Sequence, residues 1–185
     1  MQLALLASTM STVSSLRVLV SGSGGQTGQH VFRKMLARPD QFEPVGLVRT
    51  EASRTALLAS GVPSTSIVVC DVCRMGEEAT AELIGSGFDA LVIATSAKPA
   101  PTGETDETTG RPKFGFPNGE PREVDWLGQK AQIDLAIRCG AKHVVVCSSM
   151  GGTDPNHMLN KLGQTTNPDG ARAAAPAWYR NAPGF

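Results

Sequence analysis

Between residues 18 and 31 the chain reads VLVSGSGGQTGQHV: a short apolar run, a cluster of glycines, then helix-like sequence. Gly22, Gly25 and Gly28 follow the spacing G-x-x-G-x-x-G, with Ser23, Gly24, Gln26 and Thr27 between them. Glycine lets a backbone turn sharply and approach a ligand with no Cβ in the way. The start of a helix leaves N–H groups free and carries a partial positive charge, so it attracts phosphate. A lone glycine motif is weak. One that ends a first strand and opens a first helix is the place where a dinucleotide pyrophosphate binds. The plainer alternative is a flexible turn between two core elements.

Further along, three short segments end where a ligand on such a loop would lie. An acid at the end of the second strand would bond the ribose 2′-hydroxyl of NAD, whereas an arginine suits the 2′-phosphate of NADP. Here the strand ends Leu47-Val48-Arg49-Thr50, so Arg49 favours NADP. A solvated strand-end arginine, with Glu51 competing for it, is the alternative. Asp71 and Val72 follow the third strand, where a carboxylate either bonds the adenine amino group or only forms a turn. Thr95 and Ser96 end the fourth strand, beside the crevice where ligands collect in open α/β sheets.

These residues need a scaffold, and the apolar runs supply one. Residues 17–21, 44–48, 66–70, 90–95 and 143–147 are unbroken apolar strands. Helical spacing covers 26–38, 51–60, 77–84 and 123–140, with Gly61 and Gly85 closing the second and third. In 123–140, Val124, Leu127, Ala131 and Leu135 form one stripe, and Ile133 and Ile137 add a second. Strands that are apolar throughout, alternating with helices, belong to a parallel sheet covered on both faces. The right-handed crossover rule then gives an α/β fold, a Rossmann-type doubly wound sheet ordered 3-2-1-4-5 and incomplete after its fifth strand. Residues 96–122, rich in Pro, Gly and Thr, read as one long loop. Residues 1–15 read as a disordered leader, 16–163 as the nucleotide-binding domain and 164–185 as an irregular tail.

Composition narrows the partners. Seventeen basic residues balance seventeen acidic ones, and no basic stripe appears, so neither nucleic acid nor an anionic membrane is an expected partner. No apolar run approaches the ~20 residues that cross a bilayer. The leader MQLALLASTMSTVSS is Ser/Thr-rich and acid-free, but its first arginine comes only at Arg17. It therefore leaves a cytoplasmic chain as the default and a plastid or other organelle as the alternative. Cys70-Asp-Val-Cys73 is a CxxC pair, and the other two cysteines are Cys139 and Cys147. In the expected order the third and fifth strands lie four spacings of ~4.8 Å apart, about 19 Å, too far to share a zinc ion. The cysteines are thus expected to be buried and inert, and no metal site is expected. His30, His143 and His157 are dispersed.

SGSGGQTG, GLVRT, CDVC, ALVIATSA and EVDWLGQKAQIDLAIRCGAKHVVVCSSMGGTDPNHMLNKLG together resemble the atypical short-chain dehydrogenases/reductases, in their NmrA-like NAD(P)-binding branch. The resemblance covers residues 16–163 and ends near Gly163, where relatives would continue, so the chain looks shortened. It implies NADP held by Gly22 to Gly28 and Arg49, and an oxidoreductase acting on an unknown small carbonyl compound. It also implies Ser149, of the pair Ser148-Ser149, as the residue that orients the carbonyl, although paired serines also cap turns. The Tyr-x-x-x-Lys pair of short-chain reductases is missing. The single tyrosine is Tyr179, four residues before Pro183, and Lys161 has no tyrosine partner. A non-catalytic NADP sensor, or a shortened inactive product, is therefore the alternative. Homo-oligomerisation is left open.

Overall fold

The computed structural model describes residues 15–75, 87–148 and 154. Five strands make a parallel sheet: β1 (Leu16–Ser21), β2 (Phe42–Val48), β3 (Ile67–Val69), β4 (Ala90–Ile93) and, after two strands of a separate hairpin, β7 (His143–Val146). Their order across the sheet is β3-β2-β1-β4-β7, the expected doubly wound order with β7 as fifth strand. In β1, alternate residues face opposite layers. Val18 and Val20 pack with Phe32, Val48, Leu57 and Val92 on the side of α1 (Gln26–Leu36) and α2 (Glu51–Ala59). Leu19 packs with Leu47, Leu91, Ile93 and Leu135 on the side of α3 (Gln129–Arg138). Both layers are dry: Val20, Phe32, Leu91 and Leu135 are each 0% exposed. Burying one such side chain contributes about 1.5–3 kcal/mol, so it is the two-sided core that fixes the strand order.

Chain ends of these elements follow local chemistry. Thr50 caps α2 by accepting the Ser53 N–H at 3.2 Å, and Gly61 follows the helix in the left-handed region at φ +88°. Asp89 accepts the Arg17 N–H at 2.8 Å, while the Arg17 side chain reaches the Gly87 carbonyl at 3.1 Å. These bonds set β1 against β4 before their ladder begins.

Three expectations need correction. Residues 96–122 are not one structureless loop. They contain an antiparallel hairpin, β5 (Ala100–Thr105) and β6 (Pro112–Gly115). Its strands carry Pro101, Gly103 and Pro112 and are mostly exposed, so they lack the apolar alternation that marks a strand. The helix expected over 123–140 begins as a π-helical segment at Arg122–Gly128 before α3. The wider i→i+5 turn changes the facing residues. Val124, Gly128, Gln132 and Leu135 turn inward, while Leu127 is 42% and Ile137 69% exposed. The cysteines are not buried as a set: Cys70 and Cys139 are half-buried, and Cys73 and Cys147 are exposed. The helix expected at 77–84 lies outside the described residues, as do residues 1–14 of the leader and the tail.

Candidate functional site

The C-terminal ends of β1, β2, β3 and β4 meet at one edge of the sheet, and the loop after β1 lies across them. Gly22 adopts φ +70°, and a Cβ there would stand 2.5 Å from the Ala94 carbonyl oxygen at the end of β4. Gly28, in the first turn of α1, sits directly over Gly22, and a Cβ on it would overlap the Gly22 carbonyl. These two contacts explain the glycine spacing: one glycine turns the chain over β4, and the other lets the helix rest on that turn. Ser23 locks the arrangement from below. It is buried, its N–H donates to the Leu47 carbonyl at 3.1 Å, and its hydroxyl donates to the Val20 carbonyl at 2.7 Å. Ser23 thus secures the loop from inside the core. Gly24, Gly25, Gln26 and Thr27 are exposed. No side chain caps the start of α1, and no acid stands in its first turn. Its end-on N–H groups and partial positive charge therefore face the crevice side uncompensated.

A cavity of about 220 Å³ opens beside this loop, lined among others by Gly22, Gly25, Arg49, Asp71, Val72, Thr95 and Ser96. The structure thus brings together the residues singled out after all four strands. A second, wider hollow of about 710 Å³ continues from it past Arg49, Asp71 and Asn118 to Thr50, Arg74 and Glu123. Arg49 is exposed and donates from Nη1 to the Asn118 carbonyl at 2.8 Å. Glu51, its expected competitor, pairs instead with Arg54 at 3.5 Å. Asp71 accepts the Cys73 N–H on Oδ1 at 3.0 Å, forming a turn while still lining the crevice. Val72 contributes apolar wall from the core.

Thr95 and its neighbours are held from α3 and the π-helical segment. Gln132, 0% exposed, donates from Nε2 to Thr95 Oγ1 at 3.2 Å and to the Gly128 carbonyl at 3.1 Å. The Gly128 carbonyl can only accept, which fixes the amide orientation. Thr95 Oγ1 therefore accepts from Gln132, and its own O–H is left to donate toward the crevice. Gln132 Oε1 has no partner among the described residues. Asp125 accepts the Ala97 N–H at 3.0 Å and so pins the segment just past Ser96.

Burial, then the Asp71 charge, pushes the Cys70 thiol above its ordinary range, and the same two causes lead for Cys73. For Cys73 the Arg49 charge opposes this rise without reversing it, so both thiols are shifted away from the direction of a reactive thiolate. No cluster of metal-binding side chains occurs among the described residues. Ser149, His157, Lys161 and Tyr179 lie outside the described residues. Asn118 and Gln132 were not singled out by sequence reasoning. For Gln132 there was no signal, since helical spacing puts Ala131, not Gln132, on the apolar stripe. For Asn118, 69 positions from Arg49, there was none.

Residues 22–180 match the NAD(P)H-binding family. The match begins at the first glycine of the loop and runs past Gly163, where the sequence resemblance ended. Over 158 residues the chain is 42% identical to an uncharacterized chloroplastic protein of Arabidopsis thaliana, covering 84% of this chain and 46% of that protein. Over 167 residues it is 42% identical to sanguinarine reductase of Eschscholzia californica, covering 80% of this chain and 59% of the enzyme. The chain thus spans about half the length of the curated relatives it matches. Among solved structures, Sniffer of Caenorhabditis elegans superposes with a TM-score of 0.50 at 13% identity, over 80% of this chain and 70% of Sniffer, a likeness of fold. No helix among the described residues is long and apolar enough to cross a membrane. The chain belongs to the NAD(P)H-binding family and has a Rossmann-type fold.

Proposed function

We propose that this NAD(P)H-binding domain prefers NADP and serves an oxidoreductase that reduces a small carbonyl compound. The observation that carries the NADP preference is Arg49: it stands exposed at the end of β2, beside the crevice, with no acidic partner among the described residues. The chain's residues fit the cofactor. The uncapped start of α1 and the Gly22–Gly28 turn suit a pyrophosphate, and Arg49 suits a 2′-phosphate. Asp71 and Val72 suit an adenine edge, and Thr95 and Ser96 stand further along the crevice. When bound, NADPH would supply the hydride. The carbonyl assignment draws on the reductase relative at 42% identity and on Ser149, which we place as the residue that orients the substrate oxygen. Plastid residence is part of the same reading, on the strength of the chloroplastic relative.

The test is titration of wild type and Arg49→Ala with NADPH and NADH. Loss of hydrogen bonds to a charged group, about 1.5–3 kcal/mol, predicts a roughly 10- to 100-fold weaker NADPH complex and little change for NADH. Equal affinities in the two proteins would reject the assignment of Arg49. A second reading, an NADP sensor without turnover, is favoured by the missing Tyr-x-x-x-Lys pair, since the single tyrosine is followed four residues on by Pro183. NADPH consumption with a panel of carbonyl compounds supports the enzyme. Tight binding with no consumption supports the sensor.

A further inference from the structure

Arg49 does not stand alone at its end of the crevice. Its Nη1 donates to the Asn118 carbonyl at 2.8 Å, across a gap of 69 residues in sequence. Asn118 belongs to the Phe116–Glu120 turn that joins the hairpin to the π-helical segment. This turn is closed by the Gly119 N–H on the Phe116 carbonyl at 3.2 Å, and the Glu120 N–H donates to Glu123 Oε2 at 3.1 Å. An exposed arginine otherwise samples many rotamers, and binding a ligand must order it. A guanidinium has five N–H donors, so one bond to Asn118 leaves the rest of the fork for a phosphate.

The acids near this point are drawn into local bonds. One Glu123 carboxylate oxygen accepts the Glu120 N–H, and one Asp71 oxygen accepts the Cys73 N–H. Arg74 lines the same wide hollow as Arg49 and adds a second positive charge. The turn that aims the Asn118 carbonyl depends on Gly119. Its φ is +111°, and a Cβ there would stand 2.8 Å from Val124 Cγ2, a side chain only 7% exposed.

We propose that the Pro117–Gly119 turn is a specificity-positioning element: it presents the Asn118 carbonyl to Arg49, holds the guanidinium ready for a nucleotide 2′-phosphate, and requires glycine at 119. This inference rests on the NADP reading of Arg49. The turn acts through Arg49, so its loss weakens discrimination between NADPH and NADH more than it weakens binding of the shared nucleotide.

Two measurements on the full chain test it. The first compares NADPH and NADH affinities for wild type, Gly119→Ala and Gly110→Ala. Gly110, at φ +65° in the hairpin with open space around it, controls for backbone strain alone. Gly119→Ala should reduce the NADPH-over-NADH preference roughly 3- to 10-fold by removing the preorganisation of one arginine, while Gly110→Ala keeps the wild-type ratio. A wild-type ratio in folded Gly119→Ala overturns the proposal, as does an equal loss in both variants. The second needs no variant and decides if Gly119→Ala does not fold. Hydrogen exchange at residues 118–120 should slow more with saturating NADPH than with NADH, and equal protection overturns the proposal. If wild type itself shows no preference for NADPH, the NADP reading has failed and the inference falls with it. A preference that survives Gly119→Ala sinks the inference alone.

Discussion

Gly28 shows how tightly the residues of this site are specified. A methyl group at this position would overlap the Gly22 carbonyl, and neither partner can move freely: Gly22 is pressed against Ala94, and α1 is anchored by Phe32. Gly28→Ala should therefore lower stability by about 1–3 kcal/mol, the cost of overpacking a filled site. It should also abolish stabilisation by either nucleotide, as thermal unfolding with and without NADPH and NADH would show. Residues of this kind were legible in the sequence, because their meaning lies in short spacing: Gly22, Gly25 and Gly28 at intervals of three, and Arg49 at the end of an apolar run. Ser23 was legible only as part of the loop, since its bonds to Val20 and Leu47 depend on the folded sheet. Asn118 was not legible, because its contribution is a backbone carbonyl, which every residue possesses.

Elements differed in how openly they announced themselves. Buried strands did so through unbroken apolar runs, and α2 through the Gly61 that closes it. The hairpin did not, since most of its residues face water and no pattern of burial disciplines them. Its turn is held by polar chemistry. Asp106 Oδ1 accepts the Thr109 N–H at 2.8 Å, the Thr109 hydroxyl at 2.9 Å and the Thr108 N–H at 3.1 Å. The Thr109 backbone bond, then its hydroxyl, holds the Asp106 carboxyl below its ordinary value. A depressed carboxyl contributes order that is present above the ordinary aspartate range, near pH ~3.9, and is lost as pH falls through the lower folded value. The Thr109 amide resonance in an NMR titration should therefore shift with a midpoint below that range, and Asp106→Asn should remove the transition. A midpoint at the ordinary value would show that the turn does not hold the carboxylate. The π-helical segment was hidden for a different reason. Periodicity assumes 3.6 residues per turn, and one wide turn moves the inward face from Leu127 to Gly128 and from Ala131 to Gln132.

At the scale of the whole molecule, the strand order followed from few rules, because a two-faced core and right-handed crossovers leave few arrangements. β7 pairs with β4 on one side and has no strand on the other among the described residues. Val144, Val145 and Val146 are 41%, 57% and 37% exposed there. An apolar open edge invites pairing with another chain, and a lysine on it opposes that. Wild type should sediment faster as its concentration rises, whereas Val145→Lys should lose this dependence and keep its nucleotide titration. Identical sedimentation of the two proteins would show that the edge is not used. The hairpin has a separate, practical value. Its near end follows Ala97, tied to Asp125, and its far end leads to Asn118, tied to Arg49, while a side chain added at Gly110, at its tip, would point into open space. A structure fastened at both feet beside a ligand crevice and open at its tip is a natural mounting point for a fluorescent protein. Spliced between Glu107 and Gly110, such a domain would turn this chain into an optical gauge of nicotinamide nucleotide levels in living cells.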